Sequence, residues 1–246
     1  LVESGDYVYV ATGSPISKPL GVEGENSEGV LNPLDFLASC KAGRVLPAGM
    51  HVVVVGGGNT AMDVARSARR TLAKHGTVTL VYRRSISQMP AEEEEIRMAL
   101  AEGVKLIEMA APVSIVSNGG KVEALKCVRT RFSGEDTDGR SRVEAIDGTH
   151  FLIQADAVIP AIGQVSENTL AVPALFKTSR KGYATQIPKV YIGGDARNGA
   201  ANIITAVADG RRAAVQITQD AREAFPDLFG KHQRPSDLSS LMLRKS

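Results

Sequence analysis

"HVVVVGGGNTAMDVARSARR" occupies residues 51–70, and "TVTLVYRRS" follows at 77–85. Four valines in a row after His51 leave no alternation of apolar and polar positions. They read as a strand buried on both faces, as in the parallel sheet of an α/β protein. Three glycines break the run. From Asn59 to about His75 the apolar positions Ala61, Val64, Ala65 and Ala68 share one face of a helix. Residues 78–82 repeat the buried-strand pattern. Strand, glycine turn, helix, strand is the unit from which Rossmann-like α/β folds are built.

The neighbouring segments extend this unit. "MPAEEEEIRMALAEGV" (89–104) predicts a further helix, with acids crowded into its first turn where the helix dipole favours them. Between residues 113 and 163 the pattern changes. "VSIVSNGGKVEALKCVRTRF" reads as a hairpin about Asn118, Gly119 and Gly120, and "SGEDTDGRSRVEAIDG" (133–148) as a polar loop. "ADAVIPAIG" (155–163) and "KVYIGGD" (189–195) are strands, and "NIITAVADGRRAAVQITQDA" (202–221) is a long helix. Upstream, "DYVYVATGS" (6–14) is a short strand and "LDFLASCKAG" (34–43) a helix, with a Gly/Pro/Ser-rich loop between them. Residues 222–246 are weakly patterned and read as a tail.

Composition bounds the function. The chain has 246 residues, 43% hydrophobic and 23% charged, which allows one large or two small domains. A net charge of +2 gives no bulk electrostatic case for nucleic acid or an anionic membrane. No apolar run approaches the ~20 residues that span a bilayer. Cys40 and Cys127 stand far apart with no CxxC pairing, so the chain offers neither a dithiol centre nor a metal site by spacing. A reducing, cytoplasmic setting is expected.

Gly56-x-Gly58-x-x-Ala61, between a strand and a helix, is a dinucleotide fingerprint in its proper context. Gly56 permits the turn, Gly58 lets backbone approach a pyrophosphate, and Ala61 lets helix and strand pack closely. Gly57, Asn59 and Thr60 complete the turn, and the N–H groups of the helix start face the phosphates. In a site for NAD, an acid at the end of the second strand accepts from the ribose hydroxyls. Here that place holds Arg83 and Arg84, which suit a 2′-phosphate and point to NADP(H). No nucleophile or general base stands out, so no catalytic side chain is assigned. Asp63, Arg66, His51 and His75 read as structural, and the glutamates at 92–95 chiefly as a solvated helix start.

"VVVVGGGNTAMD", "VYRRSISQMPAEEEE", "EGVKL", "VIPAIGQ" and "VYIGGDARNGAANIITAVADGRRAA" together resemble the small subunit of glutamate synthase and its relatives. These include the flavin module of dihydropyrimidine dehydrogenase and the bifurcating ferredoxin–NADP transhydrogenase subunit. The resemblance runs from about Asp6 to Ile217. It implies a three-layer Rossmann-like NADPH domain (45–165) inserted in a partial second Rossmann-like domain for FAD (1–44 and 166–221). It places the nicotinamide near Ala161, Ile162, Gly163 and Gln164. It makes Gly194 and Asp195 flavin contacts, with Asp195 accepting from a hydroxyl of the flavin chain. The helix starting at Asn202 and Ile203 would aim its N-terminus at the flavin ring. Glu95 matches an acid of the family motif, which suggests a role with Arg83 or Arg84 in ordering the nucleotide loop.

The implied reaction is hydride transfer from NADPH to FAD, with electrons passed on to iron–sulfur clusters or a partner subunit. The family's own FAD phosphate turn and cysteine-rich region have no counterpart ahead of Asp6. The chain is therefore expected to be the C-terminal part of a longer flavoprotein, and to hold FAD weakly by itself. Two alternatives stand beside this reading: an NADP(H)-binding module without turnover, and another paired-Rossmann flavoprotein reductase.

Overall fold

The computed structural model describes residues 7–43, 45–47, 49–72, 75–135, 141–165 and 182–226. The chain divides into two compact units, Pro15–Val165 and a second made of Leu1–Ser14 with Ser166–Ser246. Residues 15–44, which the sequence reading joins to the second unit, pack with the first.

In the larger unit β3 (His51–Val55), β4 (Thr77–Val81), β5 (Lys105–Ile107) and β9 (Ala157–Pro160) form a parallel sheet in the order β5-β4-β3-β9. Three helices cover one face: α1 (Pro33–Lys41), α2 (Asn59–Thr71) and α3 (Glu93–Ala101). An antiparallel meander of β6 (Ala110–Asn118), β7 (Lys121–Glu135) and β8 (Ser141–Gln154) covers the other. A small antiparallel pair joins β2 (Ile16–Ser17) to β10 (Gln164–Val165).

The valine run shows why both faces must be covered. Val52 and Val54 enter the core shared with Ala61, Met62, Val64 and Ala65 of α2. Val53 and Val55 enter the core shared with Ile115, Leu125 and Cys127 of the meander. Successive strand residues point to opposite faces. Each buried valine contributes about 1.5–3 kcal/mol of transfer free energy.

α2 ends at Thr71, four residues before the expected His75. The largest difference is the segment 133–148. It is not simply a polar loop: β7 runs on to Glu135 and β8 begins at Ser141. Charged residues there mark exposed faces of long strands rather than loss of strand structure.

In the smaller unit, β1 (Val8–Val10) pairs in parallel with β11 (Val190–Ile192). The short α4 (Asp195–Asn198) and the long α5 (Ile203–Ala224) follow. α5 takes in residues 222–224 of the expected tail, and residues 227–246 lie outside the described residues. Among the described residues no helix is long and apolar enough to cross a membrane.

Candidate functional site

β3, β4 and β9 are parallel and in register, so the segments that leave their C-terminal ends come together on one edge of the sheet. Those segments carry the glycine turn, the two arginines and residues 161–164. β3 is also where the strand order reverses, between β4 on one side and β9 on the other. Open α/β sheets bind ligands at such a switch point.

The three glycines serve three purposes. Gly56 has φ +148°, and a Cβ there would lie 2.2 Å from the carbonyl oxygen of Ala161 and 3.2 Å from Cβ of Ala61. A Cβ on Gly57 would strike the Tyr82 ring at 2.5 Å. Both glycines are demanded by the protein itself. Gly58 is not: its φ of −91° and ψ of 177° suit any residue, and a Cβ there would meet nothing within 4 Å. Gly58 is the N-cap of α2, which has no side-chain cap and no acid in its first turn. Uncapped N–H groups, a positive dipole end and open space above the backbone form a place for an anion.

The loop after β4 closes over this turn. Ala91 N–H donates to Gly57 O at 3.1 Å, and Glu92 N–H donates to Asn59 Oδ1 at 3.0 Å. Tyr82 OH donates to Gln88 O at 2.8 Å, and Met89 and Ala91 are buried in the helix-side core. Asn59 thus anchors the loop through its side chain. Thr60 is half-buried in the first turn of α2.

Arg83 is exposed at the end of β4 and hydrogen-bonds no described residue through its guanidinium. Arg84 is half-buried, and its Nε donates to Ser141 O at 2.7 Å. Glu95 does not join them. It pairs with Arg66, whose other terminal nitrogen lies 2.9 Å from Glu102. Arg66 is buried on α2, so its charge requires partners on α3 and beyond, and that requirement fixes where Glu95 sits. The hydrogen bonds it donates to Glu102, despite burial, hold the Arg66 guanidinium above its usual range, and hydrogen bonds from Arg70 and Arg66 hold the Glu102 carboxyl below its own. The acid that does reach the arginine loop is Glu108, whose Oε2 accepts from Ile86 N–H at 2.7 Å. Sequence reading missed it because it arrives from the end of β5.

Gly163, with φ +123°, presents its carbonyl to Lys18 N–H at 3.0 Å, and Gln164 pairs with Ser17. Residues 163–165 are therefore held by the segment 16–18, while Ala161 N–H donates to Val55 O at 2.7 Å.

In the smaller unit, a Cβ on Gly193 would lie 2.1 Å from the Tyr9 hydroxyl. Gly194 has φ +61°, and its N–H donates to Oδ2 of Asp209 at 3.1 Å. Asp209 is a buried carboxylate on α5 that also accepts from Tyr183 OH at 2.9 Å and from Asn198 Nδ2. Burial raises its pKa, but these hydrogen bonds outweigh that and hold it below the usual carboxylate range. It escaped sequence reading, although an acid on the inward face of an amphipathic helix is the signal that marks it. Asp195 Oδ1 accepts from Ala201 N–H at 3.2 Å. Asn202 caps α5 by accepting from Thr205 N–H at 2.9 Å, and Ile203 and Ile204 beside it are 82% and 80% exposed.

Cys40 packs against the helix-side core and Cys127 lies in the meander-side core, so the parallel sheet separates them. Among the described residues no group of three or more His, Cys, Asp or Glu could hold a metal ion.

Residues 3–210 match the pyridine nucleotide-disulphide oxidoreductase family. The chain belongs to that family. It is 38% identical over 229 residues to the NADP(+)-dependent formate dehydrogenase subunit beta of Moorella thermoacetica, covering 89% of this chain and 32% of that protein. It is 37% identical over 238 residues to the glutamate synthase [NADPH] small chain of Escherichia coli, covering 87% of this chain and 50% of that one. The chain thus spans from a third to a half of the length of these relatives. Its fold also matches Mycobacterium tuberculosis FprA, solved in complex with NADPH, with a TM-score of 0.74 at 19% identity. That match covers 96% of this chain and 68% of FprA.

Proposed function

We propose that this chain is the pyridine-nucleotide-binding part of an FAD-dependent oxidoreductase that draws reducing equivalents from NADPH, similar to the small subunit of glutamate synthase. The observation that carries this is Gly58. It is a glycine that neither backbone geometry nor packing demands, set at an uncapped helix start on the switch-point edge of the sheet. A pyrophosphate is the group that needs it.

In this reading Gly56, Gly57, Gly58, Asn59, Thr60 and Ala61 shape the phosphate turn. Arg83 and Arg84, on the neighbouring strand end, bind the 2′-phosphate. Gly163 and Gln164 lie where the nicotinamide half leaves the turn. The bound nucleotide supplies the hydride; the chain orients it and excludes water. The domains follow: Pro15–Val165 for NADPH, and the segments on either side as part of an FAD domain. In the latter, Gly194 and Asp195 follow β11, and Asn202 and Ile203 open α5. The exposed isoleucines there suit a flat, largely apolar ring, and the N-terminus of α5 favours negative charge on it. An iron–sulfur domain or partner subunit is the electron acceptor, in line with relatives that are themselves named as subunits. The setting is cytoplasmic.

A thioredoxin-reductase-like reaction is disfavoured by the cysteines. Burial pushes the Cys127 thiol up to about 12, and the sheet separates it from Cys40. Titrating the 246-residue chain with NADPH and NADH tests the proposal. Preferential binding of NADPH is expected; failure to bind either nucleotide, or preference for NADH, overturns it.

A further inference from the structure

Thr130 is one of few buried polar side chains in the described residues, and it lies on the meander rather than on the nucleotide sheet. Its hydroxyl donates to the carbonyl oxygen of Arg83 at 2.8 Å. Its own N–H donates to Met109 O at 2.9 Å, and Met109 N–H donates to Arg84 O at 3.1 Å. Two hydrogen bonds thus run from Thr130 and Met109 to the backbone carbonyls of the two arginines, and a third ties Thr130 to Met109. Met109 has φ +51°, a conformation uncommon for a residue with a side chain and sustained here by bonds on both sides.

The local strand geometry explains how Thr130 reaches that far. The β7–β8 register shifts between Val128 and Thr130, and Arg129 N–H turns aside to Thr149 Oγ1 at 3.1 Å. Such an irregularity re-aims the next side chain. Farther along, β8 opens at Ser141, whose carbonyl takes the Nε of Arg84 at 2.7 Å and whose hydroxyl takes the side chain of Gln88. The meander therefore holds the arginine turn at both backbone and guanidinium.

We infer that Thr130, with the Ser141 carbonyl, is a positioning element for recognition of the nucleotide's 2′-phosphate: the meander aims Arg83 and Arg84, and so sets the choice of NADPH over NADH. This rests on the proposed placement of NADPH and adds a determinant outside the nucleotide sheet. Bidentate recognition of a phosphate depends on the direction of the guanidinium fork, not on charge alone. Neither Thr130 nor Ser141 need touch the ligand.

The test is the affinity ratio NADPH/NADH, with 2′,5′-ADP and 5′-AMP as probes that differ in the 2′-phosphate. Thr130→Val keeps the shape and removes the hydroxyl; Thr130→Ser keeps the hydroxyl and removes the methyl. Thr130→Val is expected to weaken NADPH and 2′,5′-ADP by about five- to tenfold, in line with one lost hydrogen bond. NADH and 5′-AMP should stay within twofold, and Thr130→Ser should keep the wild-type ratio. Thr130→Ala carries the same expectation should the valine variant not fold. Equal losses for all four ligands would make Thr130 merely structural and overturn the inference, as would an unchanged ratio in every hydroxyl-free variant. A wild-type chain with no preference for NADPH would instead overturn the underlying placement of the nucleotide, and the inference with it.

Discussion

The carbonyl oxygen of Ala161 stands 2.2 Å from where a Cβ on Gly56 would lie. Two strand ends meet there, β3 and β9, and only a residue without a side chain lets them do so. Gly56→Ala is expected to cost at least ~2 kcal/mol of stability, through the clash and the φ of +148° together. At Gly58 a Cβ meets no protein atom within 4 Å, so Gly58→Val should melt within a few degrees of wild type while losing NADPH binding. Thermal melts paired with nucleotide titrations separate the two. A Gly58→Val chain that binds NADPH normally would remove the turn from the proposed site.

Arg83→Ala with Arg84→Ala should weaken NADPH far more than NADH. Each lost charged contact is expected to cost about 1.5–3 kcal/mol. Titration of both nucleotides against the double variant checks this, and an unchanged preference would refute the assignment.

Glu95 belongs to Arg66 and not to the arginine loop. Glu95→Gln should therefore lower the melting temperature and leave the NADPH/NADH ratio unmoved. Arg66→Ala, which strands Glu95 and leaves Glu102 with Arg70 alone, should cost more, about 2–4 kcal/mol. A change in nucleotide preference in Glu95→Gln would restore the role that the motif suggested.

Asp209 gives the smaller unit a pH dependence of defined sign. Its folded pKa lies below the unfolded value, which is about 3.9. Its stabilisation is therefore fully present above pH ~4 and is lost as pH falls through the folded value. Asp209→Asn should be less stable than wild type at neutral pH, and the gap should close under acid. Melting curves of both proteins from pH 7 to pH 3 would show it; a gap that widens toward low pH would contradict the sign.

Much of this architecture was legible because burial leaves a period in the sequence. The valines of β3, the alanine face of α2 and the glycine turn are local patterns, and the structure places them as read. The stretch 133–148 was misread because long strands with solvated faces look polar, and the covering meander does not make them otherwise. The candidate site was legible where backbone geometry demands one residue type, as at Gly56. It was not legible where position is set by distant pairing. Glu108, Thr130 and Asp209 act across separations from 11 to 47 residues, and no spacing in the sequence records which carbonyl or amide they meet. The role that the resemblance suggested for Glu95 fails for the converse reason: its motif neighbours are near in sequence, but the buried Arg66 claims it.

The burial of Cys127 has a practical consequence. Burial holds its thiol up at about 12, so little thiolate is present at neutral pH, and that sulfur sits inside the meander-side core. Alkylating reagents can reach it at an appreciable rate only when that layer opens. Its labelling kinetics become a clock for sub-global opening, read by mass spectrometry without any engineered probe. The half-exposed Cys40 on α1 serves as the internal standard. If nucleotide clamps the layer shut, added NADPH should slow the first reaction and leave the second alone.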